Sequence, residues 1–511
     1  MLDATLARIA ARPRLSILAG LSAGIVAAMG QAPFGFAPAM VLGLFAGFAL
    51  FRAARDVRHA AVLGWALGAG YFGLTLFWIV QPFMVDVARH GWMAPFALVL
   101  LAGGLALFWG AGAGLARWLT PRPYGWIAWA VCLSAMELLR GWVFTGFPWG
   151  EPGLAWVDTP LRHLAAHVGT SGLTFLTFLF AAALYVALHG RRWVLHLVLV
   201  LALFAGALGL GYQRGQGAQV ADTDKILRLI QPNAAQHLKW DPDHAPEFVQ
   251  RQLEMTSAPA DIPPDLMIWP ETAIPYLLTH AEPLLEDIAN RAGVPVVLGL
   301  QRSEGPRYFN SMVVLGDGGT VTALYDKHHL VPFGEYIPAG DLMARLGLRG
   351  FAAQQGYGYS PGPGARLIDI DGFGPVLPLI CYEAIFARDL RGAEGRPGWI
   401  LQLTNDAWFG TFSGPQQHLV QARMRAVEMG LPFVRAANTG ISAVIDAGGG
   451  LRGTLPLNQS GLLDVPLPGS LPETVFARNG NLSLTVLLII AGLGLIVRRG
   501  AKRIDPATGR M

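Results

Sequence analysis

The 511-residue sequence contains two cysteines, Cys132 and Cys381, and four lysines, Lys225, Lys239, Lys327 and Lys502. Two cysteines cannot build a disulfide framework. One of them also falls in an apolar run and the other in the more polar part of the chain, which argues against pairing them. Charged residues are only 14% of the chain, against about 25% in an ordinary globular domain. Hydrophobic residues reach 53% and mean hydropathy is +0.42, so an all-soluble protein is not expected. The net charge of +4 comes without a basic stripe interleaved with aromatics, and nucleic acid is therefore not an expected partner. Cys, His and Asp never recur at zinc-ligand spacing, and the adjacent His328 and His329 would point apart on a strand. No metal and no cofactor are expected. Internal repeats and low-complexity tracts are also missing.

What the chain does have is apolar runs, concentrated at its two ends. A hydrocarbon core about 30 Å thick needs roughly 20 mainly apolar residues per helix. Candidate spans fall at about 15–30, 37–52, 61–80, 94–116, 124–140, 164–188 and 193–212, with an eighth at 482–497. The opening stretch "ARPRLSILAGLSAGIVAAMGQA" has the look of a signal peptide. The spans that follow it favour a retained first helix.

With eight spans, the basic clusters all fall on one side: Arg8, Arg12 and Arg14; Arg52, Arg55 and Arg58; Arg117 and Arg122; Arg191 and Arg192; Arg498, Arg499, Lys502 and Arg503. That side is the cytoplasm by the positive-inside rule. The expected layout is a multi-pass membrane protein with both termini cytoplasmic: helices one to seven in 1–215, an exterior domain in 216–478, and helix eight with a cytoplasmic tail in 479–511; in a Gram-negative bacterium the membrane would be the inner one and the exterior the periplasm. Glu137 lies inside span five, where a carboxylate is costly; it is either functional or paired with Arg140.

Between 213 and 480 the pattern changes. Strand-like runs ("KILRLIQ", "DLMIWPET", "VPVVLGL", "YFNSMVVLG", "WILQLTND") alternate with helix-like ones ("APEFVQRQLEMT", "PQQHLVQARMRAVEMG"), and "GDGG" and "DAGGG" read as turns. This predicts an α/β domain. The Gly-, aromatic- and Pro-rich stretch 345–364 is expected to be a loop covering an active site.

Three strand ends carry reactive groups: Glu271 after "DLMIWP", Lys327 in "ALYDKHHLVPFGEY" and Cys381 after "PVLPLI". They are separated by 56 residues (271 to 327) and 54 residues (327 to 381). Catalytic groups gather at strand carboxyl ends. A thiol is mostly protonated near neutrality, so a carboxylate that accepts its proton and an ammonium that stabilises thiolate and oxyanion make a working set. The backbone N–H of Tyr382 is a second candidate oxyanion donor. Taken singly, a cysteine after an apolar run reads as a buried hydrophobe and a glutamate after Trp-Pro as a cap.

In these strings, "WPET", "DKHHLVPFGEY" and "LICYE", the segment 220–470 resembles the carbon–nitrogen hydrolase (nitrilase) superfamily. The resemblance implies an αββα sandwich with Glu271, Lys327 and Cys381 as a catalytic triad, and Glu335 supporting lysine and substrate. Glu383 is either a supporting carboxylate or a structural partner. The flanking apolar spans, with "FGFAP" near residue 34, "RGWVFTGFPWG" at 140–150, "QPNAAQHLKWD" at 231–241 and "TNDAWFG" at 404–410, resemble the membrane-embedded apolipoprotein N-acyltransferase family. That implies an acyltransferase that moves an acyl chain from a phosphatidylethanolamine-like phospholipid, through a cysteine thioester, to the α-amino group of a diacylglyceryl-cysteine lipoprotein. Trp240, Trp149, Trp408 and Asn405 become candidate substrate-binding residues, with aromatic-belt placement as the plain reading of the tryptophans. A monomer is expected. Two rival readings stay open: a membrane-anchored amidase acting on small C–N substrates, and a non-catalytic membrane scaffold or transporter.

Overall fold

The computed structural model describes residues 12–120, 125–338 and 358–504. Arg8, Arg122 and positions 345–357 of the expected lid lie outside these residues. The chain divides into two compact units. One comprises Met1–Val80, Trp92–Gly217 and Thr474–Met511; the other comprises Gln81–Gly91 and Ala218–Glu473.

The first unit is helical. Its main helices are α1 (Pro13–Ala28), α2 (Ala37–Ala53), α3 (Val57–Thr75), α4 (Ala94–Leu119), α5 (Gly125–Arg140), α6 (Ala165–His189) and α7 (Trp193–Gly217), with a last helix at Leu482–Ile504. A helix therefore stands at each of the eight expected places. The expectation of eight membrane crossings is met only in part. Among the described residues, four apolar helical stretches are long enough to cross: Val87–Leu119, Pro160–His189, Trp193–Gly217 and Leu482–Gly500. The bent pair Val57–Thr75 and Phe77–Met84 makes a fifth if counted as one span. The physical reason is length: α1 and α2 have 16 and 17 residues, about 24–26 Å at 1.5 Å per residue, short of a ~30 Å core.

Glycine sets how closely these helices pack. A Cβ on Gly24 of α1 would lie 2.0 Å from the Leu67 carbonyl oxygen, and one on Gly70 of α3 would lie 2.1 Å from that of Leu21. The two backbones touch directly, as small residues permit between apolar helices. Glu137 is buried and paired, as one of its two readings held: Oε2 lies 2.6 Å from Arg140 Nη2, while Oε1 accepts from Arg140 Nε at 3.0 Å and Trp109 Nε1 at 2.8 Å. Arg140 Nη1 also donates to the carbonyls of Phe147 and Trp149. The ion pair thus holds the "RGWVFTGFPWG" loop on the end of α5.

The second unit is the expected αββα sandwich. Its strands are β1 (Asp222–Gln231), β2 (Leu266–Ile268), β3 (Val296–Glu304), β4 (Arg307–Leu315), β5 (Val321–Asp326), β6 (Ile368–Ile370), β7 (Gly374–Ile380), β8 (Trp399–Thr404), β9 (Phe433–Ala437), β10 (Ser442–Ile445), β11 (Leu451–Leu455) and β12 (Gly461–Pro468). They form two six-stranded sheets in the orders β12-β1-β2-β3-β4-β5 and β11-β10-β9-β8-β7-β6.

Strand period 2 sorts the side chains between layers. Leu266 and Ile268 of β2 meet Val376, Leu401, Leu403 and Val434 between the sheets. Met267 and Trp269 point the other way, onto Val249, Leu253, Leu285 and Ile288. Those four sit on α8 (Ala245–Thr256) and α9 (Glu282–Ala292). In α8 the buried Ala245, Phe248, Val249, Gln252, Leu253 and Thr256 recur at three- and four-residue spacing, which is one face of a helix. A third helix, α10 (Gly414–Met429), carries His418 towards β8 and β9 and ends at Gly430 in the left-handed conformation, a common helix stop.

Candidate active site

Three strands lead into the three expected residues. Glu271 lies three residues past β2, Lys327 directly follows β5, and Cys381 directly follows β7. All three side chains are buried, and their charges act on one another: Lys327 and Glu271 both bear on the Cys381 thiol, and Cys381 and Glu271 both bear on Lys327.

Lys327 Nζ lies 2.9 Å from Glu335 Oε1 and 2.8 Å from Oε2. Burial alone would drive this ammonium towards neutrality, but Glu335, with Cys381 and Glu271 behind it, raises its pKa above the ordinary lysine value. Asn310 ties the two carboxylates together, its Nδ2 donating to Glu271 Oε1 at 2.7 Å and to Glu335 Oε1 at 3.2 Å. Glu271 Oε2 is buried without a hydrogen-bond partner among the described residues. Such an orphaned acceptor is costly and leaves one oxygen available for a proton. Burial raises the Glu271 pKa, Glu335 adds to the rise, and Lys327, the Asn310 hydrogen bond and Lys239 oppose it. Burial and Glu271 likewise push the Cys381 thiol up, against the pull of Lys327. The resting pattern is protonated thiol, ammonium and a carboxylate of raised basicity, which suits proton transfer from sulfur to Glu271 when an acyl carbonyl is attacked.

Cys381 takes a positive φ of 50°, an unfavourable conformation for a residue with a Cβ, and it starts a short 3₁₀ turn, Cys381–Ile385. Glu383 holds this turn. Its Oε2 accepts from Ile380 N at 2.7 Å, and its Oε1 accepts from His328 N at 2.8 Å and His329 N at 3.2 Å. Tyr325 OH donates to the same carboxylate at 2.9 Å, and His328 Nδ1 is 2.8 Å away. Burial would raise the Glu383 pKa, but hydrogen bonding and charge from His328, together with the Ile380 N–H, leave it lowered. Glu383 thus joins the segment after β5, which carries Lys327, to the turn that carries Cys381.

His328 and His329 are not on a strand, as had been supposed, but in the segment beyond β5. Their rings face carboxylates, His329 Nδ1 lying 2.7 Å from Asp389 Oδ2. The Tyr382 ring is buried edge-on to His329 and Phe386, at centroid distances of 5.7 and 5.0 Å.

The remaining candidates come from separate segments of the chain. Trp240 is half-buried and lines a small pocket with Phe248, Thr272 and Ile274. Asn405 is buried, accepting from Asn438 Nδ2 at 2.9 Å and donating to Gln236 Oε1 at 2.7 Å. Trp408 is half-buried in the following turn. Trp149 belongs to the helical unit, its ring fully enclosed and 4.5 Å from that of Trp78.

Several polar residues around the site were not foreseen. Asn310 is a buried amide on β4 beside the buried Ser311, a signal present in "YFNSMVVLG". Lys239, beside Trp240, donates to the Glu271 carbonyl at 3.0 Å and to Thr272 Oγ1 at 2.9 Å. Burial pulls its pKa down to about 8, against the opposing charge of Glu271. Gly299 lies directly against Glu271 and Thr272.

Comparison with known proteins agrees with this architecture. Residues 227–471 match the carbon-nitrogen hydrolase family and residues 23–183 match the apolipoprotein N-acyltransferase N-terminal domain. The apolipoprotein N-acyltransferase of Caulobacter vibrioides is 37% identical over 94% of this chain and 93% of its own. That of Bradyrhizobium diazoefficiens is 38% identical over 95% of each. Among solved structures, an amidase from Nesterenkonia sp. is similar at 20% identity and a TM-score of 0.37, covering 52% of this chain and 97% of that one. With apolar helices in one unit, a carbon–nitrogen hydrolase fold in the other and relatives of this identity along nearly its whole length, the chain is a bacterial membrane protein and an acyltransferase of the apolipoprotein N-acyltransferase family.

Proposed function

We propose that the protein transfers an acyl chain from a phosphatidylethanolamine-like phospholipid to the α-amino group of a lipoprotein's N-terminal diacylglyceryl-cysteine, by a two-step mechanism on Cys381. In the first step Cys381 Sγ attacks the ester carbonyl and Glu271 takes the thiol proton. Lys327 Nζ and the Tyr382 N–H stabilise the oxyanion, and the tetrahedral intermediate collapses to a thioester as Glu271 protonates the departing lysophospholipid oxygen. In the second step Glu271 deprotonates the acceptor amine, which attacks the thioester; an amide forms and the thiol is regenerated. An amine attacks a thioester more readily than an oxygen ester, so the sulfur intermediate suits an N-acylation.

The observation that carries this reading is the unpartnered Glu271 Oε2, in electrostatic reach of both Lys327 and Cys381. Glu335 keeps Lys327 charged, and Glu383 holds the Cys381 turn. Trp240, Trp408 and Asn405, with Trp149 from the helical unit, are the residues assigned to substrate. The helical unit spans the inner membrane eight times, with helices one to seven in 1–215 and the eighth in 479–511. The basic loops and both termini are cytoplasmic, the catalytic domain 216–478 is periplasmic, and the protein works as a monomer. An acyl donor held in a bilayer accounts for a hydrolase-type fold carried on apolar helices.

Incubating purified protein with phosphatidylethanolamine should give a Cys381 peptide heavier by one fatty-acyl group, and a diacylglyceryl-cysteine peptide should discharge it as an amide. A Cys381 peptide that stays unmodified by phospholipid but is modified by a small amide would instead favour the amidase.

A further inference from the structure

Behind Cys381 lies a buried polar ring that the two-step chemistry does not use. Gln402 on β8 donates from Nε2 to the Cys381 carbonyl at 2.8 Å, and the same nitrogen lies 3.1 Å from His418 Nε2. His418 Nδ1 lies 2.9 Å from Asp406 Oδ1. Asp406 Oδ2 pairs with Arg435 Nη2, and Arg435 Nη1 donates to Gln402 Oε1 at 2.7 Å, which returns the chain of contacts to its start. His418 Nε2 is itself 3.2 Å from the Cys381 carbonyl. None of these four side chains is exposed.

We take His418 as the neutral tautomer with Nδ1–H donating to Asp406 and Nε2 accepting. The Gln402 amide then gives one hydrogen to His418 and the other to the Cys381 carbonyl. Neutral His418 agrees with its lowered pKa, caused first by burial and then by Arg435. Asp406 and Arg435 thereby fix the imidazole tautomer and the amide orientation together.

We infer that Gln402, oriented by His418, Asp406 and Arg435, is a positioning residue that sets the peptide between Cys381 and Tyr382 for oxyanion stabilisation. The inference rests on the reading of Cys381 as nucleophile. A trans peptide carries its C=O and N–H on opposite sides, so gripping the Cys381 oxygen aims the Tyr382 N–H the other way. Cys381 sits at φ 50°, and a strained residue persists only where its surroundings over-determine it. Glu383 grips the turn from the Ile380 side; Gln402 grips the next carbonyl from the far face of β8.

The test compares two reactions of the same sulfur in the full-length protein. Acylation by phospholipid passes through an oxyanion; alkylation by iodoacetamide does not. In Gln402→Met we expect acyl-adduct formation to slow by about 10- to 100-fold, the range for a misplaced oxyanion donor, with alkylation within about twofold of the unsubstituted protein. His418→Asn keeps an amide N–H for Asp406 but removes the acceptor that steers Gln402. It should give a smaller loss of the same kind, and it serves as the test if Gln402→Met does not fold. Adduct formation at the unsubstituted rate, or equal slowing of both reactions, would overturn the inference. Cys381→Ala run in parallel separates the two claims. Surviving acyl transfer there removes the nucleophile and the brace with it. Normal acylation in Gln402→Met beside an inactive Cys381→Ala removes the brace alone.

Discussion

Lys327 and Glu335 form a buried ion pair, with Nζ 2.9 and 2.8 Å from the two carboxylate oxygens, and this contact keeps an ammonium charged where burial opposes it. In Glu335→Gln the positive charge loses its counter-ion. Breaking a buried pair costs about 3–5 kcal/mol of stability, and a lysine drifting towards neutrality loses much of its value to an oxyanion. Acylation of Cys381 should slow by about 100-fold, the scale of one oxyanion donor. Glu335→Asp, which keeps the charge, should recover part of this. Time-resolved intact mass spectrometry with phospholipid checks both; a Glu335→Gln rate near the unsubstituted one would refute the role.

The pH dependence of acylation should follow Glu271. A base works only when ionised, and burial together with Glu335 raises its pKa above the usual carboxylate range. The ascending limb should therefore lie at higher pH than an ordinary glutamate would give. Lys239 lowers the Glu271 pKa through its charge, so Lys239→Met should move the limb to still higher pH. Burial brings Lys239 down to about 8; above that pH its charge is gone, and the two profiles should converge. An unmoved limb in Lys239→Met would show that its charge does not reach Glu271.

What could be read before folding follows from the range of each signal. Strand runs and the α8 face show in local periodicity, and Glu271, Lys327 and Cys381 stand out because each ends an apolar strand. The span count was less secure, since hydropathy finds apolar runs but not where a helix such as α1 stops at Ala28. The support of the site was illegible for a different reason. Asp406 meets Arg435, and Gln231 of β1 meets Ser442 of β10 at 2.7 Å; such pairs depend on sheet register, which no local pattern carries. "TNDAWFG" drew notice to Asn405 and Trp408, whereas Asp406 between them carries the buried ion pair.

Glu383 should govern acid stability as well as activity. Its pKa is lowered by His328 and the Ile380 N–H despite burial, so the folded state binds its proton less readily than the unfolded chain. The stabilisation is present in full above the ordinary glutamate pKa of about 4.3 and is lost as pH falls through the lower folded value. Glu383→Gln turns one acceptor into a donor facing backbone N–H groups, and should cost about 3 kcal/mol. Its thermal midpoint should then fall less steeply with acid than that of the unsubstituted protein. Parallel melting curves between pH 7 and 3 test this, and parallel slopes would count against it.

Gly299 gives the most local test of how Glu271 is placed. A Cβ there would meet Glu271 Cα and Thr272 N at 2.6 Å and the Pro270 oxygen at 2.8 Å. These are backbone atoms, so no side-chain rotation relieves the clash. Thr272 already has a positive φ of 45°, and Lys239 holds the same turn from the other direction. The segment can therefore move away from β3 only by carrying Glu271 with it. Gly299→Ala should cost about 1–3 kcal/mol, as overpacking does, and slow acylation by about 100-fold, the cost of a displacement near 1 Å at a reacting group. Cys381 and Lys327 follow other strands, so the Cys381 turn and its ammonium should keep their places. If Gly299→Ala acylates at the unsubstituted rate, Glu271 is not the group whose position limits the first step.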